Sequence, residues 1–246
     1  MKSNRSKRRH RDNIYELLLG LCVMVLVSFA FPRLSWIGPL GYALIALLLT
    51  QLVMIRKNSL SVEDRLYQCL GLAALVALLL WLVTPVRWVV SGFPLIFTWS
   101  LLVGWSVIRL VERLSQERKV TSGLLLGAAA GYLLLGLMAG LVMSALQTIQ
   151  PGSFEPFNIL EVSARGADAS VLELWKAFSQ INYFAFICLT TVGFGDIQPV
   201  LPASRMLSVV TGMIGPFYLA VVMGVLTGRY SNQVEEKDIF EHDDQR

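Results

Sequence analysis

The segment VLELWKAFSQINYFAFICL (171–189) runs without a break into Thr190-Thr191-Val192-Gly193-Phe194-Gly195-Asp196. Ser170 and Glu173 form a capping box ahead of an apolar run, so a helix is expected to begin at Val171 and to end near Leu189. It is half apolar and lies too close to its apolar neighbours to be an ordinary crossing, which makes it a re-entrant helix. Beyond it, Gly193 and Gly195 alternate with Val192 and Phe194. Glycine accepts backbone angles that other residues resist, and this alternation lets several successive carbonyls turn toward one axis. Such a row of oxygens, with the Thr191 hydroxyl at its inner end, can replace the water shell of a dehydrated cation. The end of the preceding helix would aim its partial negative charge at the same region.

The rest of the chain is too apolar for water, with 55% hydrophobic and 15% charged residues in 246. Lipid offers no partner to an open backbone amide, so crossing it requires helices of about 20 apolar residues. Six segments meet that demand: Ile14 to Phe31, Trp36 to Ile55, Leu66 to Thr84, Trp88 to Ile108, Gly123 to Ile149 and Ala203 to Gly228. The expected fold is an all-α membrane protein with six transmembrane helices and a re-entrant helix. It divides into a basic tail (1–13), a four-helix domain (14–121), a second membrane domain (122–230) and a short acidic tail (231–246).

Of the 21 Lys and Arg residues, only Arg33, Arg87, Arg165, Lys176 and Arg205 fall outside when the amino terminus is placed inside. The Lys2–Arg11 tail, Arg56, Lys57, Arg65, the Arg109–Lys119 group, Arg229, Lys237 and Arg246 then lie inside, as cytoplasmic loops require, and both termini are cytoplasmic. The basic tail reads as a topology anchor in contact with lipid rather than a nucleic-acid site. Ser28-Phe29-Ala30 leaves a cleaved signal peptide as the alternative. Trp36, Trp81, Trp88 and Trp175 fall near the outer interface and Trp105 near the inner one, as aromatic belts do. Gly123, Gly127, Gly131, Gly136 and Gly140 suit close helix packing.

Cys22, Cys69 and Cys188 lie in apolar helices without metal or disulfide spacing and are expected to be packing residues. His10 and His242 lie in the polar tails, and no nucleophile elbow or phosphate-binding loop is present, so no enzymatic activity and no soluble substrate are expected.

Thr190 to Asp196 resembles the potassium-channel signature, and the resemblance extends over Ser122 to Tyr230 as outer helix, turret, pore helix, filter and inner helix. It implies that the carbonyls of Thr191, Val192, Gly193 and Phe194, with the Thr191 hydroxyl, form dehydrated potassium sites. Potassium would be the bound species, with no other cofactor. Thr190, Gly195, Asp196, Tyr183 and Phe184 would support the filter. Phe194 stands where tyrosine is frequent, and Tyr183-Phe184 where two tryptophans are frequent, so hydrogen bonds from a tryptophan cuff are unavailable in that form. Asp196 either braces the filter against the pore helix or acts on ions at the outer mouth. Glu155, Glu161, Asp168 and Glu173 read as a solvated turret.

In the sixth span, Gly215 and Pro216 are hinge candidates, with Gly212 nearby, because proline removes a helix hydrogen bond. The inner helices would then constrict near Val222 to Leu226. Close packing at Gly215 is the alternative. The fourth span has no cation between Trp88 and Ile108, with Arg109 and Arg113 at its inner boundary, so the first four spans resemble a voltage-sensor-like domain without gating charges. The tail from Arg229 is expected to be solvated, too short for a ligand-binding domain and without the alternation of a calcium loop.

One chain carries one filter segment and a closed ring needs four, so the expected assembly is a homotetramer in the plasma (cell inner) membrane. The function implied is passive potassium-selective conduction. A poorly selective cation channel and a non-conducting subunit that modulates another channel are the alternatives.

Overall fold

The computed structural model describes residues 2–31, 37–54, 62–83, 92–116, 122–156 and 171–243. Arg33, Trp36, Arg56, Lys57, Arg87, Trp88, Arg118, Lys119, Glu161, Arg165, Asp168, Ser170, Asp244 and Arg246 lie outside these residues. So do the side chains of Lys2 to Arg11, Arg113, Glu173, Trp175 and those from Arg229 to Asp243.

Seven helices occur among the described residues: α1 (Lys2–Ala30), α2 (Ile37–Met54), α3 (Val62–Val83), α4 (Gly92–Gln116), α5 (Ser122–Ile149), α6 (Val171–Leu189) and α7 (Pro202–Asp243). Pro39 and Pro94 sit in the first turns of α2 and α4, and Pro202 opens α7, where the missing N–H costs no intrahelical bond. The helices α4, α5 and α7 carry apolar stretches long enough to cross a membrane, namely Phe93–Glu112, Leu125–Ile149 and Pro202–Gly228. The apolar stretches of α1, α2 and α3 are shorter: Ile14–Ala30, Leu40–Thr50 and Arg65–Trp81. Exposed Leu17, Leu72, Phe97 and Met213 give these helices apolar outer faces that lipid covers and water would not. The chain is a helical, multi-pass membrane protein.

Several sequence expectations change in detail. The basic tail is not separate from the first span, since α1 is continuous from Lys2; Lys and Arg are good helix formers and no Gly or Pro interrupts them before Ile14. Likewise α7 runs through the acidic tail to Asp243, where Glu and Lys favour helix. Helix α4 starts at Gly92 and continues to Gln116, so Arg109 lies inside it. The Arg109 guanidinium sits over the rings of Tyr67 (5.1 Å) and Trp105 (5.4 Å), which gives Trp105 a cation–π role beyond an aromatic belt. Cys22 is buried, but Cys69 is exposed and does not pack in the core.

The helices α1 to α4 pack in sequence, each on the next, and α1 and α4 both lie against α5 of the same chain. Next, α5 packs on α6 and α6 on α7, with α4 also touching α7. One apolar core runs through this arrangement, from Leu18, Cys22 and Val25 in α1, through Ile45, Leu78 and Trp99, to Leu137 and Leu141 in α5 and on to Leu189 and Tyr218. The expected boundary at residues 121 and 122 is therefore not a gap in packing. The glycines of α5 make the close approach possible: a β-carbon at Gly131 would collide with Tyr218 and Leu110, and one at Gly136 with the Phe186 ring.

Candidate ion-conducting site

Helix α6 ends in a closure made by the residues that follow it. The Thr190 amide and hydroxyl both donate to the Phe186 carbonyl (2.9 and 2.8 Å). The Thr191 amide donates to Cys188 O (2.9 Å) and the Val192 amide to Ile187 O (2.9 Å), which is a Schellman closure with Thr191 at its left-handed position. Glycine normally occupies that position. A β-branched residue at φ 59° is strained, at a cost on the order of 1–3 kcal/mol. The end of α6 thus spends its free carbonyls on holding the Thr190–Gly193 backbone.

The left-handed geometry then repeats at alternate positions, with φ 52° at Gly193 and 79° at Gly195. The Gly193 amide also donates to Ile187 O (3.2 Å), so two successive amides face one carbonyl on α6. With the Val192 and Gly193 amides turned to the helix, the planar peptides leave the Thr191 and Val192 oxygens on the other side. Thr191 through Asp196 are all exposed, Phe194 at 71%. A β-carbon on Gly193 or Gly195 would meet open space, so the backbone angle alone requires glycine there. The Thr191 hydroxyl donates to Thr190 O (2.7 Å) and keeps its oxygen lone pairs for another partner.

Tyr183 and Phe184 diverge. Tyr183 lies within electrostatic reach of the Asp196 carboxylate, so this aromatic pair still interacts with the segment after the filter although tryptophan is absent. Phe184 instead turns into a separate apolar cluster with Ala139, Met143, Phe154, Ile181 and Ile197, its ring 5.5 Å from that of Phe154.

Beyond Asp196 the chain is tied to the end of α5, a feature that the all-α reading did not anticipate. Strand β1 (Phe154–Glu155) pairs antiparallel with β2 (Gln198–Pro199). The Ser153 carbonyl accepts from the Val200 amide (2.9 Å) and the Ser204 hydroxyl (2.7 Å), while buried Gln147 accepts from the Phe154 amide (3.0 Å). Gln198 reaches back to Gly195 O at 3.4 Å. The signal for this knot is the polar Gln147 and Ser153 at the end of an apolar helix, which sequence reading passed over. Glu155 is exposed on β1.

Helix α7 passes the end of α6 at Gly212 and Gly215. A β-carbon at Gly212 would lie 3.4 Å from Cys188 O, and one at Gly215 would overlap the Leu189 carbonyl. The Tyr132 hydroxyl reaches that carbonyl at 3.5 Å. Gly215 therefore has a packing reason to be glycine, next to Pro216 inside the helix. Val222, Val225 and Leu226 pack against the core, so within 222–226 the exposed apolar side chain is Met223.

Residues 157–232 match the family model described as "Ion channel". The match takes in α6, the Thr190–Asp196 segment, β2 and most of α7, and it supports ion conduction as the class of activity. No curated protein and no solved structure matches the chain.

Proposed function

We propose that this chain is one subunit of a homotetrameric, potassium-selective channel with six membrane spans and both termini cytoplasmic, in the plasma (cell inner) membrane. The observation that carries the reading is the alternation of left-handed backbone at Thr191, Gly193 and Gly195, with the Thr191, Val192 and Gly193 amides bonded back to α6. That arrangement leaves the oxygens of Thr191, Val192, Gly193 and Phe194 to act as potassium ligands, with Thr190, Gly195, Asp196, Tyr183 and Phe184 holding the segment from behind. A single segment supplies one side of an ion's coordination shell, and a dehydrated cation needs oxygens all round it, so four copies about one axis complete the site.

The test is potassium against sodium flux into proteoliposomes that hold the purified tetramer. Potassium flux well above sodium flux is expected. Equal fluxes would make the protein a poorly selective cation pore, and no flux from a verified tetramer would make it a subunit that modulates another channel.

Conduction should depend only weakly on voltage. Each elementary charge moved across the field supplies about 2.3 kcal/mol per 100 mV, so steep gating needs several cations along one helix. Helix α4 has none before Arg109, and Arg109 is held between two aromatic rings near its inner end. A shallow conductance–voltage curve in planar bilayers is the expected result; a steep one carrying several charges per subunit would overturn it.

A further inference from the structure

Three helices of the α1–α4 unit each place an aromatic ring against one residue of the pore helix, Phe178, and the fourth buttresses one of those rings. Phe29 of α1 meets its ring edge-on at 5.8 Å, Tyr42 of α2 at 6.0 Å, and Trp81 of α3 lies tilted at 6.0 Å. Trp99 of α4 packs edge-on against Tyr42 at 5.6 Å and is itself fixed by a bond from its indole N–H to Ala74 O (3.1 Å). One turn further along α6, on the same face, stands Asn182, fully buried. The Tyr42 hydroxyl lies 3.0 Å from Asn182 Oδ1 and 3.2 Å from Leu137 O of α5. The Asn182 amide nitrogen donates to Phe178 O (2.9 Å), and its oxygen occupies the notch that Gly140 leaves in α5, where a β-carbon would overlap it.

An apolar contact between helices tolerates sliding, because dispersion has no preferred direction. A buried hydrogen bond does not, because displacing it strands a polar group away from water. Asn182 is followed directly by Tyr183, which lies near Asp196, and four to six residues later by the carbonyls that cap the filter backbone. A shift or rotation of α6 would carry all of these with it.

We infer that the α1–α4 unit is a filter-positioning element, in which the Tyr42 hydroxyl and the Asn182 side chain set the register of the pore helix and so the spacing of the filter carbonyls. Tyr42 and Asn182 are positioning residues, since neither touches the ion. The inference rests on the reading of Thr191 to Phe194 as a potassium filter and gives the first four helices a task other than sensing voltage.

The experiment measures the potassium-to-sodium permeability ratio from reversal potentials in planar bilayers for wild type, Tyr42→Phe, Asn182→Leu and the double variant, each checked as an intact tetramer. Tyr42→Phe keeps the ring and leaves the Asn182 oxygen without its donor, and it is expected to lower the ratio by about twofold to tenfold, the span set by one buried hydrogen bond. Asn182→Leu leaves the Tyr42 hydroxyl bonded to Leu137 O and is expected to lower the ratio as well, with the double variant no worse than Asn182→Leu alone. A purely structural role would reduce thermal stability or yield and leave the ratio of the surviving tetramers where it was. A selective wild type with an unchanged ratio in the single variants overturns the inference alone. A wild type that passes sodium as readily as potassium overturns the filter reading, and this inference with it. If Tyr42→Phe yields no tetramer, Asn182→Leu decides by the same criterion.

Discussion

Gly193→Ala is expected to abolish potassium flux in proteoliposomes while the tetramer remains intact by size-exclusion chromatography. The glycine is at φ 52°, and no atom of its own chain lies within 4 Å of the place where a β-carbon would stand, so within the subunit the substitution fails in backbone angle rather than by collision. The left-handed conformation costs an ordinary residue about 1–2 kcal/mol, and a fourfold ring repeats it to about 4–8 kcal/mol per pore. A cost of that size is enough for the segment to relax toward another conformation, so that its oxygens leave their places. The fold is spared because the bonds that hold α6 to the filter involve the Thr190–Gly193 amides, which alanine retains. Persistent, selective flux in the variant would remove Gly193 from the conduction path.

The second large effect is expected at the crossing of α6 and α7, and it separates the two readings of Gly215-Pro216. Gly215→Ala places a methyl on the Leu189 carbonyl, a backbone atom that no rotamer change can move aside. Overpacking of this kind costs about 1–3 kcal/mol per subunit. A lower thermal midpoint of the tetramer and a disturbed filter are expected together, since Leu189 directly precedes Thr190. Pro216→Ala adds the missing N–H without new bulk at that contact, because Pro216 is exposed on α7. If α7 bends there during opening, Pro216→Ala lowers open probability with unchanged thermal stability. If Gly215 is only a packing residue, Pro216→Ala leaves gating as it was. Single-channel recording together with a thermal-unfolding assay reads both.

Much of this architecture was legible from side-chain chemistry alone. The bounds of α2, α3, α5 and α6 follow the apolar runs to within a few residues, because in lipid an apolar stretch has few options other than helix. The alternation at Gly193 and Gly195 announced its backbone angles, since glycine is the residue that adopts them without strain. What stayed hidden depends on distance along the chain. Tyr42 and Asn182 are separated by 140 residues and neither has a local pattern that points to the other, although an amide at the start of the apolar run Ile181–Leu189 was a signal that a partner must exist. The β1–β2 ribbon has two residues per strand, too few for any period to register. Arg109 escaped because its cation–π partners belong partly to α3, and Thr191 because a β-branched residue gives no sequence hint of a left-handed angle.

The seating of α1 and α4 on α5 of their own chain, with only residues 117–121 between α4 and α5, bears on how the molecule is made. Had the first four helices docked on a neighbour, no polypeptide could finish its own interior until others arrived. Here α1 to α4 find buried contacts on α5 of the same translation product, so each polypeptide can seat this unit in the bilayer before it meets another, while α7 still presents Met206, Met213 and Phe217 outward. In the proposed tetramer, assembly is then a late meeting of parts already seated, and a defect in the first four helices stays with the copy that carries it.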